Sequence, residues 1–270
     1  VLDNASKIDD ATERATVEGE ALFLRAMTYF DMVRFYGGVP LRTAGVTNYG
    51  ADLDIERASA DAIYAQVASD LNDAYIKLPA SNGEFADKYA AKALLARVHL
   101  QLGNYAEALT AANDVLANSG HSLASSFAGA FNNDSDSSED IFAFQVTSQD
   151  GSNALVTHYA AMVFGGRGGD IVVDTYRSLF DSALDVRRGF FYISPDSGAI
   201  CTRKYTNEYG NVPTLRIGEM HLIRAEANFR LGSSTGLAPL TEINALRARS
   251  GAPAHTALTL SLIHISEPTR

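Results

Sequence analysis

The segment YAAKALLARVHLQLGNYAEALTAANDVL, residues 89–116, decides the fold class of this chain. Apolar residues recur at spacings of three and four on both sides of Gly103-Asn104, as in two amphipathic helices joined by a tight turn. They are Ala91, Leu94, Leu95, Val98 and Leu102 before the turn and Ala108, Leu109, Ala112, Val115 and Leu116 after it. The pattern predicts a helical hairpin.

The turn of this hairpin, LGNYAEA at residues 102–108, matches the turn of a tetratricopeptide repeat. Small Ala96 and Ala108 stand where the two helices must approach closely, and Tyr105 is placed to pack across the turn. A weaker copy of the pattern covers residues 222–249. Two partial repeats so far apart do not make a regular solenoid, so they indicate a helical scaffold interrupted by an insertion.

Two further helices are predicted before the hairpin. Residues 17–36 are apolar around most of a helical circumference, which is typical of a helix packed against several neighbours. Gly37-Gly38 ends that helix. A second helix follows Ser59, whose hydroxyl can accept a hydrogen bond from a first-turn N–H, and it ends before Pro79.

The insertion covers about residues 120–213 and is rich in Gly, Ser, Asp and aromatic residues. Within it, residues 141–146 (IFAFQV) predict a short strand and residues 174–180 a short helix. Long loops in a compact domain usually carry function. The sequence therefore predicts a mostly α fold, a tetratricopeptide-like helical scaffold with a long loop-rich insertion containing short β-strands. We expect one domain over residues 1–253, incomplete at both ends.

Composition excludes several function classes. The formal net charge of -10 and the pI of about 5.0 argue against nucleic-acid binding, which needs a clustered basic surface. The single cysteine, Cys201, cannot form an intrachain disulfide, and no Cys/His set has zinc-ligand spacing. Acidic residues 132–140 lack the glycine and the terminal glutamate of a calcium-binding loop, so we expect a solvated loop. We assign no metal, cofactor or catalytic residue.

Both ends of the chain look unnatural. It begins at Val1 without a methionine, signal peptide or lipidation cysteine, so we expect that an address segment has been lost. Residues 261–270 (SLIHISEPTR) resemble a translated sequencing-adapter read-through. We expect residues 254–270 to be a non-native or disordered tail.

Several segments, taken in order, resemble the SusD/RagB family over residues 17–252. They include GEALFLRAMTYFDMVRFYGGVPL (residues 19–41), the hairpin segment, EDIFAFQV (139–146) and LRIGEMHLIRAEANFRLG (215–232). The family's opening lipid-attachment cysteine and its final helical stretch are missing from this chain. The resemblance implies non-catalytic binding of oligosaccharide or polysaccharide at the bacterial cell surface. It also implies delivery to a SusC-like, TonB-dependent outer-membrane transporter by a surface-exposed lipoprotein whose lipid anchor is not in this sequence.

A sugar site needs flat aromatic faces for the C–H side of a pyranose ring and polar groups for its hydroxyls. The chain has no tryptophan, so tyrosine and phenylalanine must supply the faces. Three segments combine aromatic with amide, guanidinium or imidazole groups. The candidate ligand-binding residues are Arg42, Asn48 and Tyr49 in the loop after the first helix; His158, Tyr159 and Phe164 before a glycine-rich stretch; and Tyr205 and Asn207.

Two other functions are compatible with the sequence. A tetratricopeptide-like scaffold for protein–protein interaction would explain the helices but not the aromatic insertion. An all-helical glycosidase would explain a sugar cleft, yet sequence does not fix the distance between two carboxylates. No G-x-S-x-G, H-E-x-x-H or Walker motif supports catalysis.

Overall fold

The computed structural model describes residues 1–46, 55–149, 151–167, 180 and 182–266. The chain divides into two compact units, Val1–Val115 and Leu116–Arg270. The expectation of a single domain over residues 1–253 stays a prediction. None of the helices in the described ranges combines the length and hydropathy that crossing a membrane requires.

The first unit is built from four helices after a short 3-10 helix at Leu2–Lys7. They are α1 (Ala11–Tyr36), α2 (Ala60–Lys77), α3 (Lys88–Gln101) and α4 (Tyr105–Asn118), the last of which ends just beyond the unit. All four helices predicted from the apolar spacing are confirmed. α1 begins earlier than predicted because residues 11–16 include no large apolar side chain and so leave no apolar period to detect.

Side chains that accept hydrogen bonds from first-turn amides begin three of these helices. Asp10 accepts from Glu13 N, Ser59 from Ala62 N at 3.2 Å, and Asp87 from the amides of the first turn of α3. Gly103, with φ +75°, forms the turn between α3 and α4. The helix boundaries therefore follow from local chemistry.

The core of the first unit lies between α1, α2 and α3. α1 packs against α2, and α2 packs against α3. Its largest fully buried side chains are Phe23, Phe30, Ile63, Leu71 and Leu94. Each is one of the apolar positions that set the helical period, so the same residues define both the helices and their packing.

An ion pair fixes α1 to α2 inside this packing. Arg25 donates from Nε and Nη2 to the two carboxylate oxygens of Asp70, both at 2.7 Å, and Asp70 is only 2% exposed. Gln66 Nε2 donates to the same carboxylate at 2.8 Å. Arg25 Nη1 also donates to Thr43 O at 2.9 Å, so the pair holds the chain that follows α1.

The second unit combines two short antiparallel sheets with four helices in its described part. β1 (Asp140–Phe144) pairs with β4 (Val212–Arg216), and β2 (Phe191–Ile193) pairs with β3 (Ile200–Thr202). The helices are α5 (Ala154–Tyr159), α6 (Ile217–Leu231), α7 (Pro239–Arg249) and α8 (Leu260–Ser266). The predicted strand is confirmed as β1, and the weaker helical repeat as α6 and α7. The helix predicted at residues 174–180 lies outside the described residues except for Phe180.

α8 lies within residues 254–270, which the sequence predicts to be a non-native or disordered tail. Ile263 is buried and packs in an apolar cluster with Leu222 and Ala225 of α6 and Ile243 and Leu246 of α7. The expectation that residues 254–270 are a non-native or disordered tail stays a prediction.

We expect the Arg25→Met substitution to lower the free energy of unfolding by about 3 kcal/mol, because it leaves the buried carboxylate of Asp70 without its cation. Arg34→Met on the same helix is the matched control, since Arg34 forms an exposed ion pair with Asp31 at 3.2 Å. That control should cost less than about 1 kcal/mol. Urea unfolding of both variants measures the difference, and equal losses would contradict the role given to Asp70.

Candidate functional site

Two residues singled out in separate segments of the sequence meet in the second unit. The rings of Tyr159 and Tyr205 lie 5.5 Å apart between centroids, at an interplanar angle of 50°. Tyr159 is the last residue of α5, and Tyr205 lies in the loop between β3 and β4. Both rings are partly exposed, so the pair offers aromatic faces to a ligand.

Asn153 determines where α5 lies and therefore where Tyr159 is placed. Its side-chain oxygen accepts from Leu155 N at 2.9 Å and so begins the helix. Its amide donates to Gly210 O at 2.8 Å, and its backbone N donates to Glu208 O at 2.8 Å. The start of α5 is thereby attached to the segment that follows Tyr205.

Asn132 holds the loop that carries Tyr205. It has φ +61°, a left-handed conformation that asparagine tolerates better than most residues. Its Nδ2 donates to Arg203 O at 2.8 Å, and its Oδ1 accepts from Thr206 N at 2.8 Å and Asn207 N at 3.3 Å. Sequence reasoning placed Asn132 in a solvated acidic loop and missed this role.

The phenol of Tyr205 is neutral at physiological pH. Burial raises the pKa of Tyr205, the neighbouring Tyr159 raises it further, and Arg216 acts in the opposite direction. A neutral phenol can both donate and accept a hydrogen bond, which suits it to sugar hydroxyls.

A second aromatic pair adjoins the first along the chain. The rings of Phe164 and Tyr192 lie 5.2 Å apart at 78°, and the Arg203 guanidinium lies 5.2 Å from the Tyr192 centroid. Ala161 N donates to the Tyr192 hydroxyl at 2.8 Å, which fixes the ring against the segment after α5. Burial raises the pKa of Tyr192. We call Tyr159, Phe164, Tyr192 and Tyr205 the aromatic surface.

Tyr192 and Arg203 were not among the candidate residues predicted from the sequence. Tyr192 lies in β2 and Arg203 follows β3, so the short hairpin brings them to the residues after α5. The sequence pattern that could have revealed this hairpin is the two-residue alternation of side chains along β2 and β3. Each strand has only three residues, which are too few to show it. The exposed apolar side chains of Met162, Val163 and Ile193 lie on the same segments.

Asn207 and His158 have different surroundings. Asn207 Nδ2 donates to Asn132 O at 2.9 Å and to Asp134 Oδ1 at 2.6 Å, so both amide hydrogens bond to the protein itself. Asn207 Oδ1 also accepts from Tyr209 N at 3.2 Å. His158 is exposed on α5. In this structure Asn207 stabilises the loop beside the aromatic surface.

The acidic residues before β1 also hold this region together. Asp136 Oδ1 accepts from Gln145 Nε2 at 2.9 Å and from Asn211 Nδ2 at 2.8 Å. Asn211 Nδ2 donates to Gln145 Oε1 as well, at 2.7 Å. Throughout the described ranges no group of three His, Cys, Asp or Glu side chains is arranged to hold a metal ion.

The remaining predicted residues belong to the first unit. The backbone N of Arg42 donates to the Tyr29 hydroxyl at 2.7 Å, so α1 fixes the start of the predicted loop. Arg42 is half-buried. Asn48 and Tyr49 lie outside the described residues.

The first unit also has a shallow groove between α2, α3 and α4, with a cavity volume of about 300 Å³. Its lining mixes polar and apolar side chains and consists of Asn72, Lys92, Leu95, His99, Ala106, Glu107, Thr110 and Ala111. Burial lowers the pKa of His99, so its imidazole is neutral at physiological pH. The Lys92 ammonium lies 4.5 Å from the centre of the Tyr75 ring, next to the groove.

Comparison with protein families matches two models along the chain. A model described as starch-binding associating with outer membrane matches residues 1–100, and the SusD family model matches residues 196–261. A SusD-like protein of Formosa agariphila is 36% identical over 106 residues, which make up 39% of this chain and 21% of the relative. In both of these segments the chain matches the SusD/RagB family.

A second SusD-like relative from the same organism is 30% identical over 138 residues, 49% of this chain and 26% of the relative. The matched segments thus span only 21% to 26% of the length of these two curated relatives. The chain therefore corresponds to only part of each of these longer proteins.

Solved structures share the fold of this chain. A laminarin-binding SusD-like protein has a TM-score of 0.83 at 21% identity, covering 98% of this chain and 70% of that one. Surface glycan-binding protein A from Bacteroides uniformis has a TM-score of 0.80 at 19% identity, covering 100% and 68%. At these identities the likeness shows the mostly helical fold and leaves the ligand open.

Substitutions at Asn132 test whether its side chain positions the Tyr205 loop. We expect Asn132→Gly to lower the free energy of unfolding by about 1 to 3 kcal/mol, because it removes the amide contacts and keeps the left-handed backbone. Asn132→Ala should cost about 1 kcal/mol more, because alanine disfavours that conformation. Urea unfolding measures both. Hydrogen exchange at the Thr206 and Asn207 amides should quicken in each variant, and unchanged exchange would contradict the assignment.

Proposed function

We propose that this protein binds oligosaccharide or polysaccharide at the bacterial cell surface without cleaving it. The observation that carries the proposal is the aromatic surface, in which the Tyr159 ring packs against Tyr205 and the Phe164 ring packs against Tyr192 within the second unit. The match to a family model described as starch-binding supports the same ligand class. So do the laminarin-binding and glycan-binding descriptions of the two solved neighbours.

The chemistry of the aromatic surface suits an uncharged sugar. Partly exposed tyrosine rings can stack on the C–H face of a pyranose, and their phenol groups can hydrogen-bond to its hydroxyls. Arg203 adds a guanidinium with several donors beside Tyr192. The net charge of -10 disfavours a polyanionic ligand over a neutral one.

Each candidate residue has a proposed role in this site. Tyr159, Tyr205 and Phe164 supply ring faces, and exposed His158 supplies a donor at the rim. Asn207 supports the loop and contributes its remaining acceptor capacity. In the first unit we propose that Arg42, Asn48 and Tyr49 provide further ligand contacts, as the family resemblance implies.

We further propose that captured glycan passes to a SusC-like, TonB-dependent transporter, and that the protein is a surface-exposed outer-membrane lipoprotein. The outer-membrane association in the matched family description supports this location. The gene should then lie beside one that encodes a large β-barrel receptor.

Two tyrosine substitutions test the aromatic surface as a glycan site. We expect Tyr159→Ala and Tyr205→Ala each to weaken retention in polysaccharide affinity gels by about tenfold, because each removes one stacking face. Tyr205→Phe should lose less, since it keeps the ring. Tyr209→Ala is the matched control, because Tyr209 is a 40% exposed tyrosine in the same unit whose Asn207 contact uses only its backbone N.

The wild-type protein should release no reducing ends from a polysaccharide that it retains. Measured turnover would contradict the non-catalytic proposal and favour a glycosidase. If Tyr209→Ala weakened retention as much as the other alanine variants, the location of the site would be wrong. Thermal unfolding of each variant distinguishes loss of the site from loss of the fold.

The groove of the first unit favours a second candidate function, a scaffold that binds a peptide. The groove has Lys92 on α3 and Glu107 on α4, so it offers one positive and one negative charge to an extended peptide. Leu95 and Ala111 provide apolar surface in the same groove.

A displayed peptide library panned on the protein tests this second function. We expect Lys92→Ala and Glu107→Ala to lower the affinity of the selected peptides by about fivefold or more, because each removes one charge that the peptide contacts. Lys88→Ala is the control, since Lys88 contacts Tyr75 one turn earlier and does not line the groove. A library that yields no peptide sensitive to Lys92 or Glu107 would exclude the groove as a peptide site.

A further inference from the structure

α1 ends in two exposed aromatic residues. Phe35 is 75% exposed and Tyr36 is 68% exposed. Their rings lie 6.3 Å apart between centroids at an interplanar angle of 57°. Gly37, with φ +68°, ends the helix directly after them. The pair therefore forms a ledge at the end of α1.

The helical register explains why the Phe35 ring does not enter the core. Phe30 and Val33 point toward α2, where Phe30 packs edge-on against Tyr64 at 6.3 Å. Phe35 instead continues the exposed stripe of Thr28 and Asp31, at spacings of three and four. Core packing thus gives no reason for aromatic residues at these two positions.

A polar group accompanies the rings. The guanidinium of Arg34 lies 6.0 Å from the Phe35 centroid, and its Nη1 lies 3.2 Å from Asp31 Oδ1. The two charged side chains are 38% and 55% exposed, so both can reach a ligand resting on the rings. Aromatic faces next to a donor and an acceptor are what a sugar ring requires.

We propose that Phe35 and Tyr36, with Asp31 and Arg34, form a second carbohydrate contact that stacks on one or two sugar units of an uncharged glycan. This inference rests on the proposed glycan-binding function and extends it to the first unit. Asp31 and Arg34 neutralise each other, so the ledge has no net charge with which to select an anion or a cation.

The size of the ledge favours a sugar over a protein partner. A stable protein interface covers about 800 Å² on each partner. Along α1 the apolar surface stops at the two rings, because Asp31 and Thr28 precede them on the exposed stripe. Two rings match the dimensions of one or two pyranose units.

The test uses affinity gels containing laminarin, amylopectin, galactomannan or xylan, with the full chain as the mobile protein. We expect Phe35→Ala and Tyr36→Ala each to weaken retention by about two- to tenfold, because each removes one stacking face from an otherwise intact site. Both variants should keep the thermal midpoint of the wild type, since neither ring is buried. Phe85→Ala is the matched control, because Phe85 is 68% exposed in the same unit and lies between Glu84 and Ala86.

The outcomes separate this inference from the proposed function. Weaker retention of both ledge variants with unchanged Phe85→Ala supports the ledge. Wild-type retention of both ledge variants, with loss in Tyr159→Ala, overturns the ledge and leaves the aromatic surface standing. Equal weakening by Phe85→Ala also overturns it, because the effect would be non-specific. If the wild type is retained by none of the four polysaccharides, the proposed function and the ledge fail together.

Discussion

The second unit depends on one buried carboxylate. Glu139, directly before β1, is fully buried, and it accepts from Ala124 N at 3.0 Å, Arg216 Nη1 at 3.3 Å and Arg249 Nη1. These partners come from the start of the insertion, the end of β4 and the last turn of α7. A buried ion pair is costly to break, because it leaves an uncompensated charge away from water. The sheet that joins the insertion to the helices is therefore fixed at this point.

Charge pairs with a buried carboxylate also join two helices in each unit. In the first unit Arg25 pairs with Asp70, and in the second Arg224 pairs with fully buried Glu242, with Nη2 to Oε1 at 2.7 Å. Apolar contacts between helices have no preferred direction, so by themselves they select one alignment only weakly. A charge pair with fixed hydrogen-bond geometry penalises other alignments, which gives these helices their specificity.

Sequence reasoning succeeded where the signal was local. The helices follow from apolar spacing and caps, while β4 was missed because VPTLR contains a proline and shows little alternation. Tyr159 and Tyr205 could be chosen as candidates from their neighbours, but their proximity could not. It depends on hydrogen bonds from Asn153 to Gly210 and from Asn132 to Arg203, which join residues 57 and 71 positions apart. No periodicity in the sequence encodes such contacts.

Asn207 illustrates why a polar residue is a weaker candidate for the proposed glycan site than an aromatic one. An amide such as that of Asn207 has few hydrogen-bonding positions, and here both of its hydrogens are engaged within the protein. A ligand could use them only by breaking bonds that hold the Tyr205 loop. The face of an aromatic ring has no such fixed partners, so a ring can pack on its protein neighbours by one side and on a sugar by the other. Ring spacing, set by Asn132 and Asn153, is therefore the property that should determine which glycan fits.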